Sequence, residues 1–238
     1  MAQELTAVKT PITKEQAIQA LWQGWVAYFG ANPPKKECLW VLAAQWAFET
    51  GWGKEMWGYN FGNAKSISGD GYDYQFFACD EILSVASANQ YVANAAPGTV
   101  LVRPYSQAGL ADVWFYPKHP ACRFRAFSDI NAGAADYVKM LATRFARAWP
   151  FIDAGDPRGF VHALKMQGYF TADETQYTNG LVGCYTIASQ AQVDYSGLGD
   201  ISAADSAQID QVVSNSIDQS IGETVSADVG SGPTTSNT

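Results

Sequence analysis

One glutamate stands at the end of the most apolar stretch of this chain. From Leu39 to Phe48 the sequence reads Leu-Trp-Val-Leu-Ala-Ala-Gln-Trp-Ala-Phe, and Glu49 follows directly, with Thr50-Gly51-Trp52-Gly53-Lys54 behind it. A carboxylate at the C-terminal end of a helix meets the negative pole of the helix dipole, an effect of about 0.3–1 kcal/mol at an exposed site. Its neighbours Trp46, Phe48 and Trp52 are large and apolar, and Lys54 is the one base close by. Dipole and desolvation are both expected to raise the pKa of Glu49. A carboxylic acid kept protonated near neutral pH can serve as a general acid. The same residue reads equally well as a surface carboxylate beside a helix end, and these arguments alone leave both roles open.

Other reactive side chains offer less. His119 precedes Pro120 in a loop and His162 falls within a helical pattern, so a histidine-based nucleophilic triad has no support. Cys38, Cys79, Cys122 and Cys184 are far apart and form no C-x-x-C pair. They read as small buried thiols rather than zinc ligands or disulfides. With no cluster of His and Cys ligands, neither a metal nor a cofactor is expected.

The elements that must carry Glu49 follow from periodicity and punctuation. Thr13 with Gln16 three residues on has the form of a capping box, and Ala17, Leu21, Trp25, Tyr28 and Phe29 continue at helical spacing. Pro34 opens a second helix, roughly Lys35 to Glu49, apolar nearly all round and therefore central. From Tyr59 to Phe127 the pattern changes to short β-like runs at 72–77, 99–102 and 113–116, with a small helix expected over Ile82 to Ala96 before Pro97-Gly98. Helical periodicity returns at Ser128-Asp129 and runs to Trp149-Pro150. Asp156-Pro157 starts a short helix ending at Gly168, and Asp173 starts another reaching about Gln192. Trp22, Trp25, Trp40 and Trp149 are expected in the helical core. Helices, then strands, then helices make an α+β plan, mainly helical with a small inserted β-lobe.

The 238 residues, 25.8 kDa, are 47% apolar and only 16% charged, with a formal charge of −8. Such a chain buries a substantial core and is neither disordered nor a coiled coil over most of its length. The charge is uneven. Residues 1–193 hold 15 bases against 16 acids, whereas seven acids and no base follow Val193. Neither part offers a basic stripe, so nucleic acid is not an expected partner. No apolar run of about 18 residues occurs, and membrane insertion is not expected. Met1-Ala2-Gln3-Glu4 lacks the features of a Sec signal. The expectation is synthesis in the cytoplasm, with any action outside it depending on lysis, a virion or a secretion apparatus. Two regions are read: a domain over 1–193, and an acidic Ser/Ala/Asp-rich tail over 194–238. Within the tail, Ile201, Ala204, Ile209, Val212, Val213, Ile217 and Ile221 predict one amphipathic helix, about 202–221, that docks on a protein partner.

Three stretches carry a resemblance. Leu42 to Lys54, with its alanine-rich helix ending in Glu49-Thr50-Gly51, is followed by Tyr59-Asn60-Phe61-Gly62-Asn63-Ala64-Lys65. Together they resemble the signature of the bacterial N-acetylglucosaminidases of glycoside hydrolase family 73, the group of flagellar rod-cap hydrolases and autolysins. Phe124-Arg125-Ala126-Phe127-Ser128-Asp129 leading into Ala135 to Leu141, and Gly168-Tyr169-Phe170-Thr171-Ala172-Asp173 with Tyr177, are similar to later parts of the same pattern. The likeness spans roughly residues 15–190.

The resemblance implies a lysozyme-like fold, peptidoglycan glycan strands as substrate, and Glu49 as the acid that protonates the glycosidic oxygen. It places a second carboxylate, where one is used, in the β-lobe, which here offers Asp70, Asp73, Asp80 and Glu81. Glu81 is the first choice and Asp80 the second; Glu81 reads alternatively as an acid in the first turn of the following helix. The stretch from Glu81 to Arg123 is longer than a compact hairpin, which leaves room for attack by the sugar's own acetamide instead. Tyr169 would then be an orienting group, with Tyr177 a weaker one. Sugar faces pack on aromatic rings, which makes Trp52, Trp57 and Tyr59 candidates for the wall of the site. Asn60 and Asn63 either hold the acetamide or form turns.

The favoured activity is therefore an endo-β-N-acetylglucosaminidase. A lytic transglycosylase or muramidase of the same fold would use the same helix-end glutamate. From another class comes a glycan-binding or structural component of a phage or contractile injection particle, motivated by the acidic tail and the lack of a secretion signal.

Overall fold

In a computed structural model, residues 2–30, 33–170 and 172–195 are described. The proposed docking helix at 202–221, and the tail from 196 onward, lie outside the described residues. The chain divides into two compact units, one formed by residues 1–13 and 49–134, the other by residues 14–48 and 135 onward.

The helical unit contains α1 (Lys14–Phe29), most of α2 (Lys36–Thr50), the greater part of α4 (Ile130–Thr143), α5 (Trp149–Asp153), α6 (Pro157–Met166) and α7 (Glu174–Ala188). α1 begins directly after Thr13, where the capping pattern put it. Asp156 caps α6, accepting hydrogen bonds from the N–H groups of Arg158 and Gly159, and Asp173 caps α7 through the N–H of Gln176. These carboxylates satisfy donors that a helix start leaves unpaired and lie at the positive end of the dipole. Trp25 and Trp149 are fully buried, with ring centroids 5.1 Å apart. Trp22 and Trp40 are half-buried, and the Trp40 indole N–H donates to the Tyr195 hydroxyl at 3.1 Å. One boundary differs from expectation: α4 stops at Thr143, and Trp149-Pro150 starts α5 rather than ending the earlier helix. Pro150 lacks an N–H and is pre-set for a first helical turn, so it favours a start.

The β-bearing unit holds two sheets. β1 (Tyr74–Phe76) pairs antiparallel with β5 (Arg123–Arg125), and β2 (Cys79–Ser84), β4 (Leu110–Phe115) and β3 (Val100–Pro104) form a three-stranded antiparallel sheet in the order β2-β4-β3. The helix expected from Ile82 is shorter than the sequence indicated: Ile82 to Ser84 belong to β2, and α3 spans Val85–Asn94. Ser84 decides the boundary, because its hydroxyl accepts the N–H of Ser87 and caps α3. Ala88, Ala111, Val113, Phe115 and Cys122 form a small core that Phe76, Cys79, Leu83, Val100 and Val102 extend. The long insertion after Glu81 is thus filled by a packed helix and two strands. Residues 3–10 are laced along the same unit: Leu5 N–H donates to Tyr74 O, Thr10 N–H to Met56 O and Gly58 N–H to Val8 O, while Lys118 pairs with Glu4.

Candidate functional site

Glu49 is the second-last residue of α2, half-buried, and belongs with the loop that follows it to the β-bearing unit. The helix ends because Gly51 takes a left-handed conformation, φ 56°. Thr50 ties off the turn: its hydroxyl accepts the Gly53 N–H at 2.9 Å and its carbonyl accepts the Glu55 N–H at 2.9 Å. Met56 and Phe61 are fully buried beneath the loop and anchor it.

The two halves of the motif meet through Asn63. Its side-chain Nδ2 donates to the main-chain carbonyl of Glu49 at 3.2 Å, satisfying an oxygen that the end of a helix leaves exposed. The Asn63 Oδ1 is buried and has no hydrogen-bond partner among the described residues. Asn63 also lies at φ 47°, and the other residues besides glycine with positive φ among the described residues are Trp52 at 60° and Tyr59 at 50°. All three are candidates for sugar contact, and all lie within the loop after Glu49. Left-handed conformations at residues other than glycine cost roughly 1–3 kcal/mol and concentrate where a site demands a particular shape.

Asn60 closes a turn with its side chain. It is only 2% exposed, its Oδ1 accepts the Ala64 N–H at 2.8 Å, and its Nδ2 donates to Ala64 O and Arg125 O. Trp57 is half-buried and stacks on Phe77, 5.1 Å between centroids, and Phe77 stacks in turn on Phe124 at 4.1 Å. Lys9 lies 5.3 Å from the Trp57 ring centre and pairs with Glu55. Tyr59 is held through its main-chain N–H on the Thr10 hydroxyl, 2.8 Å, and by Gly133, where any side chain would collide with the Tyr59 carbonyl.

Asp80 and Glu81 are both exposed and sit in mid-strand, in register with Trp114 and Val113 of β4. The alternative of Glu81 as an acid in the first turn of the next helix is therefore corrected: Ser84 holds that cap. Strand alternation sends Asp80 and Glu81 to opposite faces, so one site can use only one of them. Glu81 shares the face of Cys79 and Leu83, which pack on the small core. Asp70, another acid of this unit, is used structurally. Partial burial raises its pKa, but the N–H groups of Ile67 and Tyr72, the Ser66 hydroxyl and Arg125 outweigh that and hold it below the usual value.

In the helical unit, Tyr169 is half-buried against Phe145, with ring centroids 4.9 Å apart. Tyr177 is 5% exposed, stacked on Phe170 at 3.8 Å and packed edge-on to Phe48 at 4.6 Å, the environment of a core residue.

Sequence reasoning passed over two supports. Gln75 is fully buried in β1, and its amide bridges the carbonyls of Trp57 and Arg125 at 2.9 and 3.2 Å. Thr10 reaches the loop from 49 residues away. A polar residue amid the aromatic run 72–77 is the trace that Gln75 leaves in sequence; Thr10 leaves none. Among the described residues, no group of three or more His, Cys, Asp or Glu could hold a metal ion, and no helix is long and apolar enough to cross a membrane.

No protein-family model matches the chain, and no curated protein matches it. Among solved structures, the chain is similar to a C-terminally truncated glycoside hydrolase domain of FlgJ from Salmonella typhimurium. The identity is 17%, with 75% of this chain and 99% of that chain covered and a TM-score of 0.43.

Proposed function

We propose that this protein is a peptidoglycan hydrolase, an endo-β-N-acetylglucosaminidase with a lysozyme-like fold that cuts β-1,4 linkages of the glycan strand. What carries the reading is the loop after Glu49: the Glu49 carbonyl is tied to Asn63, and Trp52, Tyr59 and Asn63 share a left-handed backbone within the segment that resembles the glucosaminidase signature. In this reading Glu49 protonates the glycosidic oxygen as the bond breaks. Trp52, Trp57 and Tyr59 give ring surface for sugar faces. Glu81 is the first choice for the second carboxylate, acting on water or on the anomeric carbon, with Asp80 as the substitute. Tyr169 orients the reacting sugar in the acetamide-assisted variant, with Tyr177 the weaker candidate for the same role. The residues present need no cofactor for this chemistry. The partner is the wall polymer, with a further protein partner for the acidic tail and delivery by lysis, a virion or a secretion apparatus.

Digestion of purified peptidoglycan by wild type and Glu49→Gln, followed by borohydride reduction and mass spectrometry of the fragments, tests this. The expected outcome is reduced N-acetylglucosamine ends from wild type and a loss of about 10²–10⁴-fold in kcat for the variant. Reduced muramic ends or anhydro ends would transfer Glu49 to a muramidase or lytic transglycosylase. Absence of cleavage by wild type on walls of several chemotypes would refute the enzymatic reading.

A further inference from the structure

We propose that Cys79 and Cys122 form an oxidation-sensitive dithiol, in which a peroxide attacks Cys79 and Cys122 resolves the product to a disulfide. Neither residue belongs to the glycosidase reading above, and the inference does not depend on it.

The observation is a cluster. Cys79 opens β2, half-buried; Cys122 is buried at the end of a short turn, 120–122, just before β5. The two belong to one small core: Cys122 is one of its buried members, Cys79 packs against it, and the Cys122 carbonyl accepts the N–H of Phe77, two residues before Cys79, at 3.3 Å. Lys65 brings its ammonium to 3.5 Å from the Cys79 sulfur and, at 2.6 Å, to the carbonyl of Ala121. The Cys79 thiol donates to that same carbonyl at 3.4 Å. When Cys79 loses its proton, Ala121 O therefore keeps the lysine as a donor and nothing is left unsatisfied. A thiol beside another thiol and a cation is the arrangement that makes a reactive thiolate.

The charges around Cys79 agree. The Cys122 thiol and then Lys65 lower its pKa, burial and Glu81 oppose them, and the net is about 7. Cys122 is pushed well above the ordinary thiol range by the Cys79 thiol and by burial, so the pair divides into an attacking thiolate and a protonated partner. The other two cysteines serve as internal controls. Cys38 is buried, donates to Asp153 O at 3.6 Å and is pushed up to about 12 chiefly by burial. Burial also raises Cys184.

The chemistry balances with hydrogen peroxide as the oxidant. The Cys79 thiolate attacks one peroxide oxygen, the O–O bond breaks, and hydroxide leaves with the electron pair, giving a sulfenic acid. The Cys122 sulfur, losing its proton, then attacks the Cys79 sulfur; the S–O bond breaks and water leaves. Overall two thiols and one peroxide give one disulfide and two waters. The bond would close a loop of chain containing all of α3, β3 and β4, and would fasten the end of β2 from which Asp80 and Glu81 continue.

The test uses the whole chain. Alkylation of the reduced protein by iodoacetamide across pH, followed by peptide mapping, should find Cys79 modified first, with a midpoint near pH 7. Stoichiometric peroxide should then remove two hydrogens from the intact mass. After blocking of free thiols, tryptic fragments 66–118 and 119–123 should be joined by a bond that a reductant releases. Cys79→Ser should leave Cys122 reduced under the same treatment, and Lys65→Gln should shift the alkylation midpoint upward. Alkylation of Cys79 no faster than Cys184, or oxidation of wild type that ends in sulfinic acid without the cross-link, would overturn the proposal. Both decisive readouts come from the unmodified sequence, so a variant that fails to fold does not shield it.

Discussion

Replacing Asn63 in two ways separates its backbone from its amide. Both Asn63→Ala and Asn63→Gly remove the hydrogen bond to the Glu49 carbonyl and the buried Oδ1 that lacks a partner, so these effects cancel in the comparison. What remains is the backbone at φ 47°. An alanine held there costs about 1–2 kcal/mol through the clash of its Cβ with the backbone. Glycine avoids that, but its freer unfolded chain returns about 0.4–1 kcal/mol of the advantage. The glycine variant should therefore be more stable than the alanine variant by about 0.5–1 kcal/mol. For a chain of this size that is about 1–4 °C in Tm, readable by calorimetry or by tryptophan fluorescence in urea. If the amide also fixes the end of α2, both variants should lose about ten- to a hundred-fold in kcat on peptidoglycan, the scale expected when a reacting group is displaced by about 1 Å. An alanine variant as stable as the glycine variant would refute the argument from backbone shape. Full activity in both would refute the argument from positioning.

Gly133→Ala inverts an ordinary rule. Alanine in place of an interior helix glycine normally stabilises by about 1 kcal/mol, and Gly183→Ala in α7, where the new methyl meets nothing, should do so. At Gly133 the methyl would strike the Tyr59 carbonyl; the expected result is a loss of about 1–3 kcal/mol with reduced activity, and stabilisation in a urea titration would contradict the contact. Asp70→Asn probes the acid limb of stability. The folded pKa of Asp70 lies below its unfolded value near 3.8, so its contribution is complete above that value and fades as pH falls through the folded one. Wild type should exceed the variant in Tm at pH 7, with the gap narrowing as pH falls below about 3.8; a gap that stays constant as pH falls would mean the carboxylate charge is irrelevant. The peptidoglycan digestion by Glu49→Gln and the peroxide mapping of Cys79 complete the set.

The helices were legible because their signals are local. Thr13, Asp156 and Asp173 stand where their helices begin, and the all-round apolarity of 39–48 matches a helix buried along nearly its whole length. Strand content was harder to read. Arg123-Phe124-Arg125 is too short for a period to show, and its strand exists because Tyr74 to Phe76 pair with it. Ile82 and Leu83 look alike in a helix or a strand; cross-strand pairing with Asp112 and Ala111 decides for the strand. Around the site, the motif marked Glu49 and its loop, whereas the reasons the loop keeps its shape come from Thr10, Gln75 and Gly133, at separations no window spans. The turn that the Asn60 amide closes with Ala64 and Arg125 shows only once the chain is folded, because Arg125 is remote in sequence.

The lacing of residues 3–10 onto the segment 49–134 governs how this protein can be taken apart. Each unit is made of two stretches of chain, and each has one stretch enclosed by the other's along the sequence. No single proteolytic cut can liberate either unit intact. A fragment starting at residue 49 would lose the strand-like partner of Tyr74 and the hydroxyl that holds the Tyr59 N–H. Expression of the β-bearing unit alone would require residues 2–13 to be spliced to 49–134 through a linker. During synthesis residues 8–10 can meet their partners at 56–59 first, residues 3–5 gain theirs only once Tyr74 has left the ribosome, and the loop that carries Glu49 receives its support from Gly133 last.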